Sequence, residues 1–432
     1  MPETRRNFVA ATAAAAAAAA GGAVALAAEG GPAAITVPAS THTAVTRWPR
    51  YGADEKKALI DLLESNRFYQ EIPLLEQETR AHCGAPFAKA HCNGTSALMS
   101  AFFAMDLPPG SEVLVPSYTA SATIVPMRFF GLVPVFVDID PQTACFDLHH
   151  ATRVITPTTR AIVPMHAWGL PCDMDEISDF ASRHSLIVLE DAAQAEGASF
   201  QGRAVGTWGA MGVFSYQMSK VLPAVEGGMG LYKSREHYER ATAFGNYDLP
   251  ASFPAESAYR KYHDTGFGPK FRIHPLAAAL ARRQLAGLND RNALIARQTR
   301  ALNDRITQLP GLTDQRRRAG MQRVHWASNI LFFDEAKAGF SKAALLAALQ
   351  AEGVRASAAP YPEQHQFALY REPRWWHHAP RVPDVLPGCA QVNRTAIRVP
   401  LFTGEAAELI DQYAKAFEKV WAHGAKLARS GA

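Results

Sequence analysis

Past its first 28 residues the chain has no apolar run near the roughly 20 residues that a membrane-spanning helix needs, so only the leader bears on a bilayer. It also lacks blocks of one charge sign. The 44 basic and 40 acidic residues leave a formal charge of +4 and are interspersed after the leader, without the footprint of a nucleic-acid binder. Cysteine is scarce: Cys83, Cys92, Cys145, Cys172 and Cys389 are odd in number and form no C-x-x-C pair. That argues against a disulfide framework or metal cage and for buried thiols. The histidines, His149-His150 included, show no metal-ligand spacing, so no metal is expected. No internal repeat is present. What the chain has in quantity is apolar residues, 48% of 432, enough for a large core in two domains. Small-molecule chemistry is the class of function left.

The N-terminus differs from the rest. Thr4-Arg5-Arg6-Asn7-Phe8-Val9 precedes an alanine-rich run closing on Ala25-Leu26-Ala27. Residues 1–27 read as a twin-arginine export signal cleaved after Ala27, which would deliver a periplasmic protein without stable membrane insertion. The alternative is an uncleaved leader acting as a membrane anchor, since residues 9–28 approach spanning length. Residues 28–50, rich in Ala, Thr and Pro, read as a tether.

From about residue 90 to 235 short apolar strands alternate with helical segments, which predicts βα units on a mostly parallel sheet. The strand candidates are 112–115, 134–138, 161–164, 186–190, 212–215 and 228–232, with a short helix at 122–130 and another capped by Asp173. A long helical pattern runs from Pro275 through Leu280, Leu288 and Leu294 towards Leu309, ending at Pro310-Gly311. The expected large α/β domain therefore spans 51–310. Residues 311–432, with a strand at 329–333 and helices at 342–352 and 404–423, form a smaller α+β domain.

Three segments carry chemistry. Asn93-Gly94-Thr95 opens an apolar helix, so Gly94 and Thr95 present backbone N–H groups without intrahelical partners, where a phosphate binds; ordinary capping looks the same. Glu190-Asp191-Ala192-Ala193-Gln194-Ala195 follows an apolar run, placing Asp191 at the carboxyl end of a strand, where it reads either as partner to a cationic ring nitrogen or as a helix cap. Phe214-Ser215 leads through a loop to Lys220, ahead of Glu226-Gly227-Gly228. A lone lysine is usually a solvated charge, and Lys220 gains weight from its company. Schiff-base chemistry needs an amine, a partner for a pyridine nitrogen and a phosphate cradle in one site.

In this order, together with Val115-Pro116-Ser117-Tyr118-Thr119, Val135 through Asp140 and His166-Ala167-Trp168-Gly169, these segments resemble the sugar aminotransferases of the DegT/StrS type. The resemblance extends from Trp48 to Val420. It implies a three-layer α/β fold of type I, with a mostly parallel central sheet and a smaller C-terminal α+β domain, and pyridoxal 5′-phosphate as cofactor. By the same resemblance Lys220 is the Schiff-base lysine, Asp191 the partner of the ring nitrogen, and Gln194 a contact on the ring's hydroxyl side. Gly94, Thr95 and Ser215 resemble the phosphate cradle. Such enzymes are typically homodimers completing each site from the neighbouring subunit, in a segment similar to Gly268 through Ala278, where Arg272 keeps the pattern.

Two positions depart from the family. Lys270 stands where an Asn usually reaches across the dimer to the cofactor phosphate, a contact Lys270 would make as a cation. Ala120 occupies the position of the aromatic ring stacked on the pyridine, a place left to Tyr118 or a ring from elsewhere.

The implied activity is transfer of an amino group from an amino acid, glutamate or glutamine, to a keto-sugar or cyclitol ketone, with Lys220 as covalent anchor and proton carrier and Asp191 as the second catalytic residue. The alternatives are a sugar dehydratase, whose relatives replace the lysine by histidine, and a non-catalytic binding or regulatory protein. Tyr361, His365, Trp375, Trp376, His377 and His378 cluster in a Pro-rich stretch that reads either as a sugar-facing surface or as local packing.

Overall fold

The computed structural model describes residues 31–430; the leader expected at 1–27 lies outside them. A seven-stranded sheet is built from β1 (Phe87–His91), β2 (Glu112–Pro116), β3 (Val133–Val137), β4 (Thr159–Ile162), β5 (Ile187–Asp191), β6 (Met211–Ser215) and β7 (Gly228–Tyr232), in the order β1-β7-β6-β5-β4-β2-β3. Only β7 runs antiparallel to its neighbours. Helices cover both faces, which is why β2 and β3 are buried throughout rather than alternating, and apolar apart from Glu112 at the start of β2. Six of these strands lie within a residue or two of their expected bounds. β1 gave no strand signal, because Phe-Ala-Lys-Ala-His has weak β propensity and a charge at its centre. In the fold that charge is neutralised: buried Lys89 pairs with Glu76 at 2.8 Å.

Helix α1 (Gly94–Ala104) follows β1, and α2 (Met174–Arg183) precedes β5 with Met174, Ile177 and Phe180 inward. Asp173 stands at the N-cap position of α2 but makes no capping bond; its carboxylate pairs with Arg318 at 2.9 Å. The expected helix at 122–130 is two 3₁₀ pieces, Ser121–Thr123 and Val125–Phe130. The long helical pattern is divided at Gly287 into α3 (Pro275–Ala286) and α4 (Leu288–Ile306), since a glycine gives up little helical stability by leaving the helix.

A second, antiparallel sheet, β8 (Leu312–Asp314), β9 (Asn329–Phe333), β10 (Ser357–Ala358) and β11 (Ala396–Val399), is ordered β8-β9-β11-β10 and carries α5 (Ala407–Ala422) on one face. The stretch read as a tether is docked here. Residues 39–46 form a two-turn helix, Thr36 donates its N–H to Gln412 at 2.8 Å, and His42 meets the Tyr413 hydroxyl at 2.8 Å. Ile35, Val37 and Val45 join the second core. Ala and Thr gave this arm no periodic signal; isolated apolar side chains and backbone hydrogen bonds hold it.

Candidate active site

The carboxyl ends of the parallel strands, where open α/β sheets collect ligands, lie against the smaller body: Tyr118 bridges Glu363, and Gln194 donates to the Tyr361 hydroxyl at 3.1 Å. β5 ends at Asp191, which is followed by turns and no helix, so it caps nothing. Its carboxylate is 4% exposed. Oδ2 accepts from the Thr123 hydroxyl at 2.7 Å and Oδ1 from the Ala193 N–H at 3.1 Å, and among the described residues no basic side chain pairs with it. A buried anion without a cation of its own is costly unless a ligand supplies one. Gln194, three residues on, accepts from the Trp168 N–H at 2.8 Å and donates to the Tyr361 hydroxyl at 3.1 Å. Burial, and then the charge of Asp191, push the Tyr361 hydroxyl pKa upward, so it stays a neutral phenol.

The start of α1 lies against the ends of β6 and β7. Asn93 caps it, its Oδ1 accepting from the Ser96 N–H and hydroxyl at 2.8 Å each. A Cβ on Gly94 would sit 2.9 Å from Ser215 Cβ, and one on Gly228 only 2.5 Å from the Asn93 carbonyl oxygen. Glycine at both places leaves bare backbone facing a helix N-terminus, with no hydrogen bond from the hydroxyls of Thr95 and Ser215 among the described residues. Bare backbone at a helix N-terminus can accept a phosphate. The Phe271 carbonyl accepts from the Cys92 N–H at 2.6 Å, bringing the segment from Gly268 alongside. Lys270 is exposed there, and no bond joins it to Gly94, Thr95 or Ser215 within the chain. Arg272 instead pairs with Asp248 at 3.0 Å.

Lys220 stands in the loop after β6, its Nζ 4.3 Å from the centre of the Trp326 ring. Burial lowers its pKa, with the charge of Asp191 opposing. Trp326 stacks on Trp168 at 5.1 Å, and Tyr361 lies 5.4 Å from Trp168 and 5.0 Å from Tyr118. Tyr118 is 0% exposed, so it has no free face to stack on a ligand in place of the ring missing at Ala120. Tyr361 and Trp326, only partly buried, are the rings that keep one.

The other aromatics of the Pro-rich stretch fall elsewhere. His365 is buried against Ser117 Oγ at 2.7 Å, Trp376 stacks on Tyr370, and Trp375 lies at the surface under Arg128. Sequence reasoning missed Thr123 and Trp326, and named Thr119 and Trp168 within motifs without a role of their own. Trp168 adopts φ 56°, outside the usual range for a bulky residue, in a turn where Gly169 leaves no room beside the Val324 carbonyl.

An amine whose charged form burial disfavours, a buried carboxylate and a helix N-terminus open to an anion fit one small molecule: pyridoxal 5′-phosphate offers an aldehyde, a protonated ring nitrogen and a phosphate. The fold and site thus define a pyridoxal-phosphate-dependent aminotransferase of fold type I. Residues 49–417 match the DegT/DnrJ/EryC1/StrS aminotransferase family, and the chain belongs to it. Among its relatives is a 3-amino-5-hydroxybenzoate synthase of Amycolatopsis mediterranei, 32% identical over 64% of this chain and 78% of that protein. An L-glutamine:2-deoxy-scyllo-inosose aminotransferase of Streptoalloteichus tenebrarius is 32% identical over 88% of this chain and 95% of its own. The crystal structure of an aminotransferase from Psychrobacter cryohalolentis superposes with a TM-score of 0.79 at 26% identity, covering 88% of this chain and 99% of that one.

Proposed function

We propose that the enzyme moves an amino group from glutamine or glutamate to a ketone on a sugar or cyclitol ring, with Lys220 and Asp191 as its catalytic residues. The observation that carries the assignment is that buried Asp191 is held by the Thr123 hydroxyl and the Ala193 N–H, with no salt bridge to its carboxylate among the described residues, while the Lys220 Nζ sits over the Trp326 ring. The bound cofactor supplies an electron sink for the carbanion left when the donor loses its α-proton. Lys220 would hold the cofactor through its Nζ, and the same amine would move the donor's α-proton. Burial disfavours the charged form of that amine, with the charge of Asp191 opposing. Asp191 keeps a proton on the ring nitrogen, held in place by Thr123. Gly94, Thr95 and Ser215 bind the phosphate, and Gln194 orients the ring from its hydroxyl side. Kinship with a glutamine-dependent cyclitol aminotransferase along nearly its whole length supports the choice of donor and acceptor.

In this reading the enzyme is a homodimer, and the exposed Lys270 serves the partner's phosphate cradle as a cation. The leader carries the folded, cofactor-loaded protein to the periplasm, which favours a free cyclitol or sugar over a nucleotide-linked one. The test is the visible absorbance of purified protein with added cofactor, before and after borohydride, against Lys220→Ala. A band trapped by borohydride in the wild type alone, and bleached by glutamine or glutamate, is expected; no band in the wild type refutes the reading.

A further inference from the structure

Both peptide groups flanking the Lys220 Cα are held by indoles. The Ser219 carbonyl accepts from Trp326 Nε1 at 2.9 Å, and the Lys220 carbonyl accepts from Trp48 Nε1 at 3.1 Å. Fixing the two peptide planes fixes the direction in which the Cα–Cβ bond leaves the backbone. The tip is met as well, since the Trp326 ring faces Nζ. A lysine has four rotatable side-chain bonds and little intrinsic aim. Here its root and its tip are constrained by the same ring.

The two indoles do not come from the sheet that carries Lys220. Trp326 lies just before β9, in the second sheet. Trp48 ends the N-terminal arm, which Thr403 grips: its N–H donates to the Val45 carbonyl at 2.8 Å, its hydroxyl to the Arg47 carbonyl at 2.7 Å, and Arg50 returns a bond to that hydroxyl at 2.9 Å. The arm is also tied to Gln412 and Glu352. Trp48 is steadied from the other side by the Arg291 guanidinium, 5.6 Å from its ring. Trp48, Ser219, Lys220 and His325 line one small cavity where arm, loop and second sheet meet. Two indoles on segments bound to the smaller body thus converge on one loop of the larger.

Resting on the reading of Lys220 as the cofactor's covalent anchor, we propose that Trp48 and Trp326 are positioning residues that aim the Lys220 amine at the cofactor's aldehyde carbon. The N-terminal arm is then a working part of the site rather than a spacer, and the seating of the smaller body on the larger is transmitted to the lysine through both indoles. Indoles that only filled space would leave the amine's aim unchanged when replaced by another ring.

The experiment measures equilibrium binding of two probes to wild type, Trp48→Phe and Trp326→Phe. Pyridoxal 5′-phosphate bonds to the lysine; pyridoxine 5′-phosphate, with an alcohol in place of the aldehyde, occupies the cradle without doing so. Phenylalanine keeps a six-membered aromatic ring and removes the N–H donor together with the five-membered ring that carries it. Each variant is expected to lose about three- to tenfold in affinity for the aldehyde, the worth of one hydrogen bond, and less than about twofold for the alcohol. Retained alcohol binding also shows that the variant is folded. Equal losses for both probes, or no loss for either, would overturn the proposal. A wild type that binds both probes alike and is not trapped by borohydride would overturn the assignment of Lys220 itself, and the clamp with it.

Discussion

Thr123 donates its hydroxyl hydrogen to Asp191 Oδ2 at 2.7 Å, and Thr119 stands behind it with its Oγ1 2.7 Å from that of Thr123. Because the one hydrogen of Thr123 is committed to the carboxylate, Thr119 must donate to Thr123. The pair forms a directed chain that ends on the group assigned to the cofactor's ring nitrogen. Both threonines come from the loop after β2, which Gln364 of the smaller body holds by donating to the Thr119 carbonyl at 2.8 Å.

Thr123→Val keeps the shape of the side chain and deletes that chain of donors. A hydrogen bond to a charged group contributes about 1.5–3 kcal/mol, so turnover should fall by about ten- to a hundredfold if the orientation of Asp191 matters in the transition state. Cofactor affinity should change less, because the cradle at Gly94 is untouched. Steady-state kinetics beside a cofactor titration decides it, and an unchanged turnover number would remove Thr123 from the machinery.

Burial disfavours the ammonium form of Lys220, so its neutral, nucleophilic form should appear at lower pH than for an ordinary lysine near about 10.4. In the cofactor-free protein the rate of labelling Lys220 by an amine-reactive reagent, followed by mass spectrometry against pH, should show a depressed midpoint. Asp191 opposes the shift, so Asp191→Asn should depress the midpoint further. A midpoint at the ordinary value, or one raised by Asp191→Asn, contradicts the electrostatics of the site.

Much of this site was legible in the sequence, and the reason is local. Gly94, Asp191 and Ser215 each sit at a strand end or helix start, so a run of apolar residues beside them announces where they stand, and Lys220 follows in the loop after Ser215. Their supports are not local. Thr123 reaches Asp191 across 68 positions and Trp48 reaches Lys220 across 172, and no periodicity in either segment encodes such a contact. The arm at 34–48 was unreadable for the same reason: its bonds go to residues 352, 403 and 412, whereas its own composition suggests a linker. β1 was hidden because the ion pair that lets Lys89 be buried lies on another element.

Lys270, exposed beside the cradle, is proposed to act in the neighbouring subunit, and mixing two inactive proteins tests this without a structure of the dimer. Lys220→Ala lacks the anchor, and Lys270→Ala should lack phosphate affinity, each in both sites of its homodimer. If sites are shared across a two-fold axis, random reassociation gives half heterodimers with one intact site each, and activity should recover to about a quarter of wild type. No recovery after verified subunit exchange would place Lys270 outside the partner's site.

Behind the Lys220 loop, Glu196 is 3% exposed and neither carboxylate oxygen has a hydrogen-bond partner, although the Tyr216 hydroxyl faces it. Desolvation pushes its pKa up to about 8, with Arg291 and Tyr216 offsetting only part of the shift. An acid whose folded pKa is raised holds a proton that the unfolded chain has released, so folding stability falls as pH rises from the unfolded value of 4.5 to about 8. The slope for one such group reaches about 1.4 kcal/mol per pH unit. Glu196→Gln keeps the size and the neutral form while removing the ionisation. Its stability should match that of wild type below the unfolded value of 4.5 and exceed it increasingly towards about pH 8, measured by chemical denaturation across that range. Because the two proteins share every other titrating group, the difference between their profiles isolates Glu196. Parallel profiles would mean that the carboxylate is already ionised and solvated, and that the pocket between Tyr216 and Arg291 is wetter than its burial implies.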